Sequence, residues 1–368
     1  MMDGQAVVFG TAVTAAGVTF RLPDAADPVG RAAIWLDLDH HREPPPMRRV
    51  AGGWELHMAR PPVQRLEYLF AVEYSDGTRA MICDPTNQVR TATAFGDHSV
   101  IEFPGYREPA WLTARHPPGS LDSFAIQAPR LSPAVPVTLW SPDGVDDATA
   151  LPLLMLHDGP EFESLASFTR FSSALIGARR LPPHRVALLG PGDRDRWYAA
   201  NPAYSRALTS VVVPRLREAA AVAGPVVLAG ASLGALAALH ASAAGPAAFG
   251  ALFLQSGSFF RPDTDPQERS FPGFKAVTSF VEHLGSAPPA EAGLEIGMTC
   301  GLAEENLANN RLMAAALAGL GHRVELAEGP DAHTYTGWRD ALDPHLADLL
   351  NRAWRAERRP GRAGAARM

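Results

Sequence analysis

One run of residues constrains this chain more than any other: Val226-Val227-Leu228-Ala229-Gly230-Ala231-Ser232-Leu233-Gly234-Ala235-Leu236-Ala237. The apolar side chains at its start do not alternate, which is the pattern of a parallel strand buried on both faces. Gly-Ala-Ser-Leu-Gly comes next, and then an Ala/Leu-rich stretch to about Ser242 that reads as a helix. Strand, G-x-S-x-G and helix in that order form a nucleophile elbow. In so tight a turn, a Cβ at Gly230 or Gly234 would collide with the strand or the helix. Ser232 would then stand above the sheet at a helix N-terminus, whose dipole favours developing negative charge. The bland alternative, a small-residue turn without chemistry, loses weight because strand and helix flank the pentapeptide.

The chain has 368 residues, which suggests two domains. A net charge of −6 gives no bulk reason to expect nucleic acid or an anionic membrane as partner, and no apolar run reaches membrane-spanning length. Lys275 is the only lysine; arginine supplies the other cations. Cys83 and Cys300 fall in different expected domains and make no disulfide framework. Met1-Met2-Asp3-Gly4-Gln5 lacks a basic segment followed by an apolar core, so a cytoplasmic protein is expected.

Residues 1–104 carry short strands separated by turn residues, as in Val18–Leu22, 33–38, 54–58 and 66–72. They suggest a small β-sandwich domain with no nucleophile, metal cluster or phosphate loop. Trp35 and Trp54 are read as core residues in preference to a carbohydrate platform. Residues 105–120, with Pro109, Pro117 and Pro118, read as a linker, 121–357 as the catalytic domain, and 358–368 as a disordered basic tail.

Strands alternate with helices through the second domain, which points to an α/β fold with a mostly parallel, doubly wound sheet. Strand 151–156 ends in His157-Asp158-Gly159, where such a fold takes an oxyanion donor. The donors expected are the amides of Leu233 and of Gly159 or a near neighbour, worth roughly 2.7–4 kcal/mol each. Helices are expected at 164–175, 203–221, 307–320 and 338–357. Between them, residues 192–198 read as a polar loop that offers Arg194 or Arg196 to an anionic substrate, or else a solvated surface with local ion pairs. Phe259 and Phe260 wall a pocket or pack on the core.

Acyl transfer needs a nucleophile, a base and a carboxylate that orients the base. Ser232, then Glu304 or Glu305, then His333 satisfy the order Ser, acid, His, each just past a strand C-terminus. His240 and His345 fall on helices, and His322 flanks a strand. This chemistry needs no cofactor and no metal.

These residues resemble the enterochelin (ferric-enterobactin) esterases, within the esterase D-like α/β-hydrolases, over nearly the whole chain. His157-Asp158-Gly159 with Phe162 resembles the family's D-G-x-x-aromatic loop, and Arg194, seven residues before Asn201, its R-x-x-E-L…N segment. Gln255-Ser256-Gly257-Ser258-Phe259 resembles its S-G-S-aromatic turn. Gly301-Leu302-Ala303-Glu304 resembles G-x-x-E and favours Glu304 as the acid; His333, Trp338 and Arg339 reproduce H-x4-W-R. The resemblance implies an α/β-hydrolase fold, an immunoglobulin-like (early-set) N-terminal domain, and Phe162 and Trp338 near the substrate. It implies as substrate an anionic, aromatic catecholate siderophore trilactone, cut in the cytoplasm to release iron. Trp197 stands where the family usually has Glu, and Pro330-Asp331-Ala332 replaces a glycine pair. The competing readings are a carbohydrate-linked feruloyl or acetyl esterase and a non-catalytic glycan- or partner-binding scaffold.

Overall fold

The computed structural model describes residues 10–24, 28–38, 43–285 and 293–355. The N-terminal five residues and the tail 358–368 lie outside these. The chain divides into two compact units: the first comprises Met1–Arg107 with Gly301–Glu305 and Glu328–Gly337, and the second the remainder.

Nine strands build the first unit: β1 (Ala12–Val13), β2 (Gly17–Pro23), β3 (Val29–Leu36), β4 (Arg48–Val50), β5 (Gly53–Ala59), β6 (Arg65–Tyr74), β7 (Arg79–Ile82), β8 (Arg90–Thr93) and β9 (Gly96–Glu102). They form two antiparallel sheets, β1-β2-β5-β4 and β3-β6-β9-β8, with β7 paired to β6. Period-two spacing turns Val18, Phe20 and Leu22 of β2 and Leu66, Tyr68, Phe70 and Val72 of β6 into one core. Phe20 meets Tyr68 across the sheets at 5.0 Å, so the arrangement is a sandwich. Trp54 packs against this core, and Trp35 lies edge-on to His98. The strands that escaped the sequence reading are short or polar.

Two segments remote in sequence complete the unit. Ala332 is buried in the sandwich core and Ala303 packs against it. The Gln64 amide donates to the Pro330 carbonyl at 2.8 Å; Leu302 donates to Gly329 and Ala303 to Asp331. The residues leading up to His333 are thereby built into the sandwich.

The second unit is organised on eight strands: β10 (Ser120–Ile126), β11 (Val135–Ser141), β12 (Leu151–Leu156), β13 (Arg185–Leu189), β14 (Val222–Ala231), β15 (Ala251–Gln255), β16 (Glu295–Gly301) and β17 (Arg323–Gly329). Their order is β10-β11-β13-β12-β14-β15-β16-β17. The sheet is mixed: β13, β12, β14, β15 and β16 run parallel, while β10 and β11 pair antiparallel at one edge. The parallel strands are buried almost residue for residue, as continuous apolar runs require. From β12 the chain moves to β13 on one side, then returns to β14 on the other. The ends of β12 and β14 therefore flank a switch point, where open α/β sheets place their sites.

Several elements differ from the sequence reading for local reasons. The helix expected at 164–175 is two, Gly159–Ala166 and Phe168–Gly177, separated by Ser167 at φ 53°. The terminal helix breaks at Asp343 (φ −114°, ψ 117°), because the residue before Pro344 is driven out of helical geometry. Residues 194–198 form a helical turn, not a loop: Trp197 and Tyr198 are buried, and Trp197 stacks on Tyr204. Helix Phe274–Gly285 was unforeseen, although Val277, Val281 and Leu284 mark its buried face. In the linker stretch, Trp111 is buried edge-on to Phe171. Among the described residues, no helix is long and apolar enough to cross a membrane.

The anchoring of residues 328–337 yields a stability prediction. Ala332→Leu overpacks the sandwich core and should destabilise it by about 1–3 kcal/mol. Urea unfolding followed by tryptophan fluorescence reads this as a lowered midpoint; an unchanged midpoint would show that the core does not depend on this residue.

Candidate active site

Ser232 directly follows β14 and takes the N-cap position of helix Leu233–Ala244, with φ 55° and ψ −124°. A residue bearing a Cβ rarely adopts such a backbone, and in nucleophile elbows it thrusts the hydroxyl clear of the chain. The Ser232 amide donates to Gln255, and its carbonyl accepts from Ala235 and Leu236 as the helix begins. Gly230 is sterically required: a Cβ there would lie 2.5 Å from the Gly234 carbonyl. Gly234 is crowded from another direction, by His157 and the Asp158 carboxylate. The Leu233 amide belongs to the first turn of the helix, where backbone donors lack intrahelical partners.

The loop after β12 packs against this turn. Asp158 is left-handed (φ 52°), and Gly159 opens the next helix so close to β13 that a Cβ would meet Leu188 at 2.5 Å. Arg194 donates Nε and Nη2 to the two Asp158 oxygens, each at 2.9 Å, and its guanidinium lies 5.5 Å from the Tyr198 ring. The Asp158 amide donates to the Tyr198 hydroxyl. The charge of Arg194 is thus met inside the protein, while 35% of its side chain stays accessible. Arg196, two residues on, is exposed.

Phe162 is 0% exposed and lies 6.0 Å from the Trp338 ring. Trp338 gives its indole N–H to Ser256 Oγ at 3.0 Å. Phe259 is enclosed against Gly257, and Phe260 packs on Phe271 and Phe274. The sequence reading gave no task to Ser258, whose Oγ lies 3.1 Å from Ser232 Oγ. Its signal was its place in the quoted Ser256-Gly257-Ser258 turn.

In the first unit, His333 Nδ1 lies 2.7 Å from Glu304 Oε2, and Glu304 Oε1 accepts the Gly301 amide at 2.7 Å. Gly301 allows this closeness, since a Cβ would stand 2.3 Å from the Asp331 carbonyl. Glu304 is buried, whereas the neighbouring Glu305 is exposed. Burial works against a charged imidazole, but the Glu304 carboxylate, helped by Asp37 and Glu305, outweighs it and holds His333 above its ordinary value. The ring remains 24% exposed. Other histidines behave oppositely: burial pushes His157 down to about 3, and His184 and His240 down to about 4.

Among the described residues, one group has donor atoms close enough to share a cation: Asp37, Glu67 and His98, all within 4.8 Å. Arg65, 2.6 Å from Glu67, already supplies positive charge there, and burial raises the Glu67 carboxyl.

Comparison with known proteins matches residues 128–349 to the model of the Esterase family. The iron(III) enterobactin esterase of Escherichia coli O6:H1 is 25% identical over 354 residues, covering 86% of each chain. The crystal structure of ferric enterobactin esterase from Salmonella typhimurium superposes with a TM-score of 0.76 at 22% identity, covering 91% of this chain and 93% of that one. An enterobactin esterase structure from Shigella flexneri gives 0.70 at 21% identity, with 93% of both chains covered. The mixed sheet and its preceding strands therefore have the fold of these enzymes. This chain belongs to the Esterase family, in the enterochelin esterase group whose motifs it carries, and is a carboxylic-ester hydrolase.

Proposed function

We propose that the chain hydrolyses the ester bonds of a catecholate siderophore through an acyl-enzyme, with Ser232 as nucleophile, His333 as base and Glu304 as orienting acid. The observation that carries this reading is the 2.7 Å contact of His333 Nδ1 with Glu304. A carboxylate only accepts, so Nδ1 holds the ring proton and Nε2 presents the basic lone pair. His333 takes the Ser232 proton as Oγ attacks the acyl carbon, and returns it to the departing alcohol. Water then repeats the sequence on the acyl-enzyme. The amides of Leu233 and Gly159 are assigned to the oxyanion.

Arg196 and the accessible part of Arg194 are assigned to the anionic catecholate rings, with Trp338 beside them. Phe162, buried against Trp338, supports that ring, and Phe259 is enclosed by protein and not offered to substrate. The names of the matched esterases support the siderophore as substrate. The two antiparallel sheets on one core support the immunoglobulin-like, early-set assignment. The cytoplasm is the compartment proposed.

Replacing Ser232 with Ala should lower kcat on p-nitrophenyl esters by roughly 10⁶, since members of such a triad act as a unit; equal rates for both proteins would remove this serine from the mechanism. A panel of ferric and iron-free catecholate trilactones, feruloyl esters and short acyl esters tests the substrate. Trilactones should be turned over fastest, and comparable rates across the panel would sink the siderophore assignment.

The pH profile tests the base. Because Glu304 raises His333, the Glu304→Gln change should lower it, and the acid limb of kcat/KM should move to lower pH. The plateau should fall by roughly 10⁴, as when a triad carboxylate becomes an amide. A limb that stays in place would mean that Glu304 does not act on the titrating group.

A further inference from the structure

The turn after β15 is held far more firmly than a connection needs. Ser256 sits at φ 47°, outside the usual range for a residue with a side chain. Its amide donates to Thr299, its carbonyl accepts from Asn306 Nδ2 at 3.2 Å, and its hydroxyl accepts from Trp338. Asn310 takes the Gly257 amide on Oδ1 at 2.9 Å and gives Nδ2 to the Gly257 carbonyl at 3.0 Å. Gly257 has no room for a Cβ, which would stand 2.3 Å from the Phe259 ring. Strain of this kind persists where surroundings over-determine it, and it gathers at functional sites.

What the turn delivers is Ser258. Its amide donates to the Ser232 carbonyl at 3.2 Å, its hydroxyl lies 3.1 Å from Ser232 Oγ, and it is 2% exposed. We propose that Ser258 is a further catalytic residue whose hydroxyl donates to Ser232 Oγ. The inference rests on Ser232 being the nucleophile. A serine hydroxyl has one hydrogen and two lone pairs. With one lone pair occupied by Ser258, rotation about the Ser232 side chain is restricted, and its own hydrogen is kept for the base. The bond strengthens as Ser232 Oγ loses that hydrogen and gains charge, since hydrogen bonds to ionised acceptors are shorter and stronger. It therefore favours the transition state over the resting enzyme. The opposite polarity, Ser232 donating to Ser258, would divert the proton and make Ser258 inhibitory.

The test is the rate at which a small fluorophosphonate inactivates the full-length protein, which reads the nucleophile without any natural substrate. The burst of p-nitrophenyl acetate acylation accompanies it. Ser258→Ala should slow both by about tenfold, less than the loss of a whole oxyanion donor, with KM unchanged. Ser258→Thr, which keeps a hydroxyl, should recover most of the rate. An Ala variant as fast as wild type, or faster, overturns the proposal. So do Ala and Thr variants slowed equally, which would indicate packing alone. Should Ala fail to fold, Ser258→Cys replaces it as a weak donor of similar shape: slowing supports the proposal and an unchanged rate overturns it. Labelling of wild type but not of Ser232→Ala checks the esterase reading separately.

Discussion

A serine at φ 55° is the constraint on which the hydrolase unit depends. Such a backbone costs of order 1–3 kcal/mol and has to be held by its neighbours. Here the Ser232 amide is tied to β15 through Gln255, and its carbonyl accepts three amides, from Ala235, Leu236 and Ser258. The tie to Gln255 continues the parallel register of β14 and β15, in which Ala231 stands opposite Gln255, and the ties to Ala235 and Leu236 open the following helix. Relaxing the serine would mean breaking the pairing of two buried strands. The strain at one residue is thereby borne by the whole sheet.

Charge follows the same economy. Arg185 is buried and held largely by neutral acceptors: it donates to Ser141 Oγ and to the carbonyls of Thr149, Ala221, Asp146 and Asp147. Arg194 is spent largely on Asp158, and Arg180 on Asp343. Abundant arginine is thus no guide to anion binding here, because the cations with the best geometry are engaged with the protein. Exposure separates the two neighbouring cations: Arg196 is exposed, whereas Arg194 is paired with Asp158.

How far the chain could be read in advance follows from the range of the forces involved. The elbow was legible because its sterics are local: five residues, two of them glycine, leave one way to turn. The expected order of serine, acid and histidine came from strand ends that repeat on a regular spacing, and within it the pairing of His333 with Glu304 is seen. Breaks at Ser167 and Asp343 interrupt otherwise plausible helices, and only the second was written in the sequence, by Pro344. The Gln64–Pro330 bond, the entry of Ala332 into the sandwich core and the grip of Asn306 and Asn310 on the 256–258 turn join residues distant along the chain. Local pattern carries no signal for such pairs.

The departures from the enterochelin esterase pattern make sense in these terms. Pro330 offers a carbonyl to Gln64, Asp331 accepts Ala303 and occupies the space that Gly337 leaves open, and Ala332 supplies the buried methyl. A glycine pair would keep the backbone bond but forfeit the buried methyl and raise the entropy lost on ordering the segment. Trp197 likewise fills a core position against Tyr204, where a carboxylate would need a partner. Neither change touches the residues proposed as catalytic, Ser232, Glu304 and His333. Divergence of that kind changes how the surrounding segments are held and leaves the proposed acyl-transfer residues in the sequence.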